Sequence, residues 1–255
     1  MADANIVIGV KGETAGARRV KRSLGDVEKS GDRAKRSIGL LQSALVALGG
    51  AAVIRGFATL TDRFTSLDTQ LKNVTSTTEE YNKVFNGLFK IAQQNGDVFD
   101  GLGETFVKLN VSLNESVKQS TDLVKVTELL SRGFAANSTA ASTAAGATLQ
   151  LTQGLATDFK AAGQELNSII EGAPLLAKAI AVELGGKGAT DLKKFAREGE
   201  LTAESFLKAL VSAEDAIKSF DIPPTIGRSV QRVKNAFLRF VGESDNIQGA
   251  ATNVA

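Results

Sequence analysis

The chain has 255 residues, of which 43% are apolar and only 5% aromatic, and a formal net charge of +2. The apolar fraction is enough to build a core for one large domain or two small ones, which excludes wholesale disorder. The absence of cysteine and histidine excludes disulfides, thiolate nucleophiles, imidazole bases and metal sites made from these ligands.

Residues 1–36 predict a short strand followed by a basic helical arm. Ile6, Ile8 and Val10 alternate with smaller or polar residues, which is typical of a strand. Residues 11–36 then carry nine basic and four acidic side chains. Such an arm is either a solvated helix face or a contact for nucleic acid or an anionic surface, and the sequence leaves both interpretations open.

Residues 37–65 predict an apolar helix rich in glycine and alanine. Within it, residues 38–54 form an uncharged, mostly apolar run, close to the shortest length that spans a bilayer. Gln42 and the Gly49-Gly50 pair make this run a poor membrane span. We predict a buried or self-associating helix, with membrane insertion at some stage as the alternative.

Residues 66–242 predict a domain of several helices. Ser76-Thr77-Thr78-Glu79 fits a capping box, which would start a helix that Asn95-Gly96 ends. Further helices are predicted near 101–113 and 139–155. Apolar side chains at helical spacing predict the buried faces: Tyr81, Val84, Phe85, Leu88, Ile91, Phe106, Leu109, Leu113, Leu123, Val126, Leu130, Phe206, Leu210, Ala213 and Ile217.

Helix ends are also marked in the second half of this domain. Pro174 disfavours helical geometry at Ala173, so two helices should meet there. Thr190 and Thr202 are placed to cap the helices that follow them, and Gly199 suits a left-handed C-terminal cap.

The last predicted helix follows Pro223-Pro224 and is amphipathic. Its apolar stripe consists of Ile226, Val230, Val233, Phe237 and Phe240 or Val241. All charged residues between 225 and 241 are basic and lie away from that stripe: Arg228, Arg232, Lys234 and Arg239. We interpret this basic face either as solvated or as a contact for an acidic wall or partner.

Nothing in the chain predicts an active site. Gly101-Leu102-Gly103 lacks the third glycine of a dinucleotide-binding loop. The acidic pairs Glu79-Glu80 and Glu214-Asp215 are sequence neighbours, which point about 100° apart on a helix and cannot form a carboxylate dyad. We therefore predict no catalytic residue, no cofactor-binding residue and no metal ligand. A carboxylate-based cell-wall hydrolase is the weakest alternative.

The most specific segment runs from Gly163 to Gly185. It resembles the Gly-x-Glu-Leu-Asn-Ser…Ala-Pro…Gly signature of the N-terminal domain of tailed-phage tape-measure proteins. Residues 149–155, 199–204 and 222–236 agree with the same family in order and spacing, so the resemblance covers roughly 66–242. The motif residues, which we interpret as architectural, are Gly163, Glu165, Leu166, Asn167, Ser168, Pro174 and Gly185.

The resemblance implies an all-α structural protein of the tail that is not an enzyme and that needs no cofactor. It implies a protein that lies in the tail lumen after assembly in the host cytoplasm, nucleates polymerisation of the tail tube, sets tail length and leaves ahead of the DNA at infection. The implied partners are the tail-tube protein, the tail tip or baseplate hub, tail assembly chaperones and other tape-measure copies. Contact with the host inner membrane and with genomic DNA stays open.

The resemblance also implies that the native protein is longer than this chain. A continuous helix of 255 residues would reach only about 380 Å at roughly 1.5 Å per residue. We expect residues 243–255 to begin a C-terminal helical extension. The alternative function, motivated by residues 38–54, is a membrane-active helical protein that forms pores or is injected.

Overall fold

The computed structural model describes residues 50–160 and 164–242, and these ranges contain helices and connections but no strand. The all-α prediction is therefore confirmed for the described part of the chain. The predicted strand at residues 6–10 and the basic arm at 11–36 lie outside it. The chain divides into two compact units, Met1–Thr59 and Leu60–Ala255.

Most of the described helices belong to the second unit, and they are numbered here in chain order. The first six are α1 (Gly50–Val74), α2 (Thr78–Asn95), α3 (Phe99–Ser112), α4 (Glu115–Ser120), α5 (Leu123–Ala136) and α6 (Ala141–Ala156). A 3₁₀ turn (Gln164–Leu166) then leads into α7 (Asn167–Gly172), α8 (Pro174–Glu183), α9 (Asp191–Arg197), α10 (Ala203–Ser212), α11 (Glu214–Lys218) and α12 (Ile226–Gly242). The boundary predicted between residues 65 and 66 falls inside α1.

The core of the second unit is aliphatic, with a small aromatic cluster. The side chains predicted to face inward are buried, apart from Tyr81, which is half-buried. Phe85 lies at the centre of the aromatic cluster, with its ring edge-on to Phe64 and Phe99 at centroid distances of 6.0 and 5.1 Å. Phe89 joins through Phe99 at 5.4 Å. This cluster joins α1, α2 and α3.

The start of α2 differs by one residue from the predicted capping box. Thr77, not Ser76, is the N-cap, and its hydroxyl accepts a hydrogen bond from the Glu80 amide at 3.1 Å. The Glu80 carboxylate in turn accepts from the Ser76 amide at 2.7 Å. The sequence offers two overlapping boxes, Ser76 to Glu79 and Thr77 to Glu80. The structure uses the later one because Thr77 is the last residue with extended backbone.

The other predicted helix ends are confirmed with one exception. Ala173 leaves helical geometry (φ −143°, ψ 62°) and Pro174 starts α8. Gly199 has a left-handed φ of +74°. Thr202 caps α10 in a reciprocal pair with Ser205.

The predicted cap at Thr190 is wrong, because its side chain makes no capping hydrogen bond. Asp191 performs a related task, since its carboxylate accepts from the Lys187 and Gly188 amides at 2.7 and 3.0 Å. These two bonds lower the pKa of Asp191 below its ordinary value.

Helix α5 lies at the centre of the domain and packs against α2, α3, α8, α10 and α11. Gly133 allows α8 to approach closely, since a Cβ at this position would lie 2.8 Å from Leu176 Cβ. Two other side chains of α5 bind α11. Lys125 binds Glu214 at 2.5 Å, and the Arg132 guanidinium donates to three carbonyls at the end of α11.

Candidate interaction helix

The residues of the sequence motif make contacts inside the domain. Leu166 is fully buried. The Ser168 hydroxyl donates to Gln150 on α6 at 2.7 Å, and the Asn167 side-chain amide donates to Gln164 at 3.1 Å. These contacts fix the 3₁₀ turn and α7 against α6.

The remaining motif residues shape turns, as far as the structure describes them. Pro174 is the exposed first residue of α8. Gly185 has a φ of +87°, a conformation that other residues adopt with strain. Glu165 lies in the 3₁₀ turn, where its buried Oε2 atom has no hydrogen-bond partner among the described residues. Gly163 lies outside the described part of the chain.

The first three residues of the apolar stripe of α12 are exposed to solvent. Ile226 is 85% exposed, Val230 47% and Val233 41%. Asn235 and Leu238, by contrast, are 1% and 3% exposed. The side of α12 that meets the domain therefore combines a polar and an apolar buried side chain.

Two arginines of α12 bind the carbonyl ends of other helices. Arg232 donates from Nε to the Gln93 carbonyl oxygen at 2.8 Å and from Nη2 to that of Gln94 at 3.0 Å. Arg228 donates from Nη2 to the Ala135 carbonyl oxygen at 2.6 Å. These carbonyls belong to the last turns of α2 and α5, which carry the negative end of the helix dipole, and that of Ala135 also accepts from the Ser138 amide at 3.1 Å. The guanidinium groups thus act as C-terminal caps supplied by another helix.

Asn235 provides a matching cap for the start of α3. Its Oδ1 accepts from the Phe99 amide at 3.2 Å, and its Nδ2 donates to the Asp97 carbonyl oxygen at 2.6 Å. Val98, the N-cap of α3, has no side chain that could accept from this amide. Gln231 supports the arrangement by donating to Asn235 Oδ1 at 2.8 Å.

Arg239 completes the basic side of α12 that meets the domain. Its guanidinium carbon lies 4.6 Å from the centroid of Phe89 and 5.7 Å from that of Phe85, within the range of cation–π attraction. Lys234 is exposed.

The basic residues predicted as a possible partner contact are thus split by the structure. Arg228, Arg232 and Arg239 contact the domain itself, while Lys234 faces solvent. The sequence carried a signal for this arrangement, because Arg228, Arg232, Asn235 and Arg239 are spaced by four, three and four residues, the same spacing as the apolar stripe. Contact between this face and another protein stays a prediction.

A groove of about 470 Å³ begins beside the first turn of α12 and runs between α3, α5 and α6. Asp97 lines it, accepts a hydrogen bond from the Ser131 hydroxyl and lies near Arg228. Burial raises the pKa of Asp97 above its ordinary value, although the Ser131 bond and the Arg228 charge act in the opposite direction. Asn95 donates to Ser131 at 2.7 Å, which ties this carboxylate to the end of α2.

Within the described ranges, no group of three or more acidic side chains is placed to hold a metal ion. None of the described helices is both long and apolar enough to cross a bilayer. Most of the run 38–54 lies outside these ranges, so its predicted burial is untested.

Comparison with known proteins gives one match. A family model described as "Tape measure protein" matches residues 55–246. No curated protein and no solved structure matches the chain.

Proposed function

Since the chain belongs to the tape measure protein family, we propose that it is a lumenal tape measure that nucleates tail-tube polymerisation and sets tail length. The family provides a structural component of the phage virion tail and not an enzyme. Release from the tail ahead of the DNA belongs to the same proposal. The observation that carries it is the family match, which covers all of the helical domain that begins at Leu60 and ends with α12.

The proposed mechanism is steric, and the folded domain serves as a fixed end of the ruler. Its helices are joined by a continuous aliphatic core, so it acts as a solid block and not as a chain that stretches. Tube growth would stop when the helical remainder of the protein is covered. The domain itself contributes contacts and not length, because its helices pack against one another instead of running end to end.

We further propose four partners: the tail-tube protein, the tail tip or baseplate hub, the tail assembly chaperones and other copies of the protein. The exposed parts of α12 support such contacts. They combine an apolar stripe with Lys234, and an exposed apolar stripe on a surface helix is common at protein–protein contacts. The virion tail lumen, after assembly in the host cytoplasm, is the proposed location.

A nonsense mutation in the gene tests the length-setting role. Phage grown without a suppressor should make heads with absent tails or tubes of irregular length, and a wild-type copy supplied in trans should restore a uniform length. Electron microscopy measures the lengths. Tails of normal and uniform length without the protein would contradict the proposal.

Protease protection tests the lumenal location separately. The protein should resist a protease in intact purified tails and be digested once the tails have been emptied. Free protein added to the same digestion serves as the control for protease activity. Digestion from intact tails at the rate of the free protein would contradict the lumenal location but not the role in length control.

The membrane-active alternative has less support. The family match points to the tail.

A further inference from the structure

Helix α12 is attached to the domain in an unusual way for a helix of its composition. It contains an apolar stripe with the spacing of a core-facing helix, yet Ile226, Val230 and Val233 are exposed. Of the apolar side chains described on α12, Leu238 is buried and Phe237 half-buried. The docked position thus leaves Ile226 largely in water and Val230 and Val233 partly so, while Leu238 is the one described side chain of α12 that joins the hydrophobic core.

Besides buried Leu238 and the contact of Arg239 with Phe89, polar contacts hold the helix in place. Among the described residues, six hydrogen bonds join α12 to residues before position 221, each between a side chain and the backbone, and Arg232, Asn235 and Arg228 make five of them. In the sixth, the Gln93 side chain donates to the Arg232 carbonyl oxygen at 3.0 Å. Water competes for all of these groups when the helix leaves, so such bonds contribute far less net stability than their number suggests. Apolar burial, which water does not replace, is what distinguishes the core helices.

The docked position is nevertheless specific. A Cβ on Gly96 would lie 2.5 Å from Arg228 Cβ, so the backbone at the end of α2 and the first turn of α12 fit closely. Gly96 also has a φ of +69°. The helix therefore has one defined docking surface, formed by the carbonyl ends of α2 and α5 and the start of α3.

The connection before α12 allows the helix to leave with the loss of one described core side chain, Leu238. Arg132 holds the Phe220 carbonyl at 2.9 Å, which fixes the chain up to that residue. Residues 221–225 belong to no helix, and Asp221, Pro223, Pro224 and Thr225 are exposed. The bond from Arg228 to the Pro223 carbonyl joins α12 to this connection and not to the core.

We infer that α12 is a detachable helix, which opens as a unit about residues 221–225 while α1 to α11 stay folded. Opening would free three arginines, uncover the carbonyl ends of α2 and α5, and widen the groove beside Asp97. It would also let the apolar stripe and the basic face of α12 turn toward a new surface. This inference does not depend on the proposed function, since it follows from the contacts of the helix alone.

Thiol labelling tests the inference, because the chain has no cysteine of its own. Leu238→Cys places a thiol on the buried side of α12, and Leu130→Cys places one in the core helix α5, where the side chain is 1% exposed. If α12 opens alone, the thiol at position 238 should react at least about 100-fold faster than the one at 130, since local opening precedes global unfolding. Equal rates with the same dependence on urea would overturn the inference.

A second substitution identifies what holds the helix. Arg232→Met removes two hydrogen bonds to α2 and should raise the labelling rate at position 238 by about tenfold or more, with no change at position 130. Lys234→Met is the matched control, since the exposed Lys234 makes no ion pair or hydrogen bond among the described residues. It should leave both rates unchanged. Equal acceleration by the two substitutions, or acceleration at position 130, would contradict a latch at Arg232.

Hydrogen exchange on the unsubstituted full chain guards against an effect of the cysteine itself. Amides of α12 should exchange through an opening that depends weakly on urea, because little surface is exposed, whereas amides of α5 should exchange through global unfolding. Exchange of α12 only by the global route would overturn the inference whatever the thiols show.

Discussion

The close approach of α5 and α8 at Gly133 predicts that a methyl group added there lowers the stability of the domain. In Gly133→Ala, the added methyl group would lie 2.6 to 2.9 Å from Cβ, Cγ and Cδ2 of Leu176. A rotamer change at Leu176 can move its Cγ and Cδ2 but not its Cβ, so α8 itself must shift. Overpacking of this kind costs about 1–3 kcal/mol, whereas alanine favours a helix over glycine by about 0.5–1 kcal/mol. The net expectation is a loss of about 1 kcal/mol.

Gly146→Ala is the matched control on a neighbouring helix. Gly146 lies inside α6, and a Cβ there would have no atom within 4 Å. The helix preference then acts alone, so this variant should gain about 0.5–1 kcal/mol. The same substitution should thus have opposite effects at two glycines.

Urea unfolding of the full chain, followed by far-ultraviolet circular dichroism, measures both variants, since the chain has no tryptophan to report by fluorescence. The midpoint should fall for Gly133→Ala and rise for Gly146→Ala, with the slope of the transition unchanged in each. If Gly133→Ala is as stable as Gly146→Ala, the close approach of α8 to α5 is not a constraint on the fold and the reasoning fails.

Three further predictions concern helix ends and one ion pair. Thr202→Ala should lower the free energy of unfolding in urea by about 1 kcal/mol, because it removes an N-cap. Thr190→Ala should change it by nearly nothing, because that side chain caps no amide, and similar losses in the two variants would contradict the capping assignment. Hydrogen bonds from lysines lower the pKa of Glu214, so its contribution to stability is complete above the ordinary glutamate pKa and is lost as the pH falls through the lowered value. Glu214→Gln should remove this acid-side loss in urea midpoints measured from about pH 6 to about pH 3, and an unchanged profile would contradict it. Arg132→Met should destabilise the domain by about 1.5–3 kcal/mol because three carbonyls at the end of α11 lose a charged donor, and a loss within error would show that water replaces it.

The helix ends could be predicted from sequence where the deciding chemistry is local. Gly96 ends α2 because only a residue without Cβ adopts its left-handed backbone freely, and Pro174 starts α8 because its ring excludes helical geometry at Ala173. The misplaced box at Ser76 and the misassigned cap at Thr190 show the limit of this approach. At the first place the sequence offers two residues able to cap, and the extended backbone of Thr77 decides between them. At the second, Thr190 has helical backbone angles and its side chain caps no amide.

The orientation of α12 could not be predicted in the same way. Its sequence defines two faces about half a turn apart, and either one has the spacing of a contact face. Apolar periodicity alone favours burial of Ile226 and Val230. The structure instead docks Arg232 and Asn235, because the receiving surface is made of free carbonyls and a free amide contributed by residues about 140 positions earlier. No local pattern contains that information.

The residues of the candidate site could be predicted from the sequence, but their contacts could not. The four basic residues of α12 were recognisable, yet their division into three that bind the domain and Lys234, which does not, depends on tertiary contacts. The family could be recognised because some of its motif residues, such as Gly185, are required by the local geometry of turns.

The central position of α5 has a consequence for the order in which the domain forms during synthesis. The face of this helix that meets α8, α10 and α11 is not fully covered until Lys218 has left the ribosome, some 80 residues after α5 is complete. At about 5–20 residues per second, this takes on the order of 4 to 16 seconds. During that interval the nascent chain carries an apolar helix face that is only partly covered. The half of the domain made first is therefore most prone to association with other chains just before the second half arrives to cover it.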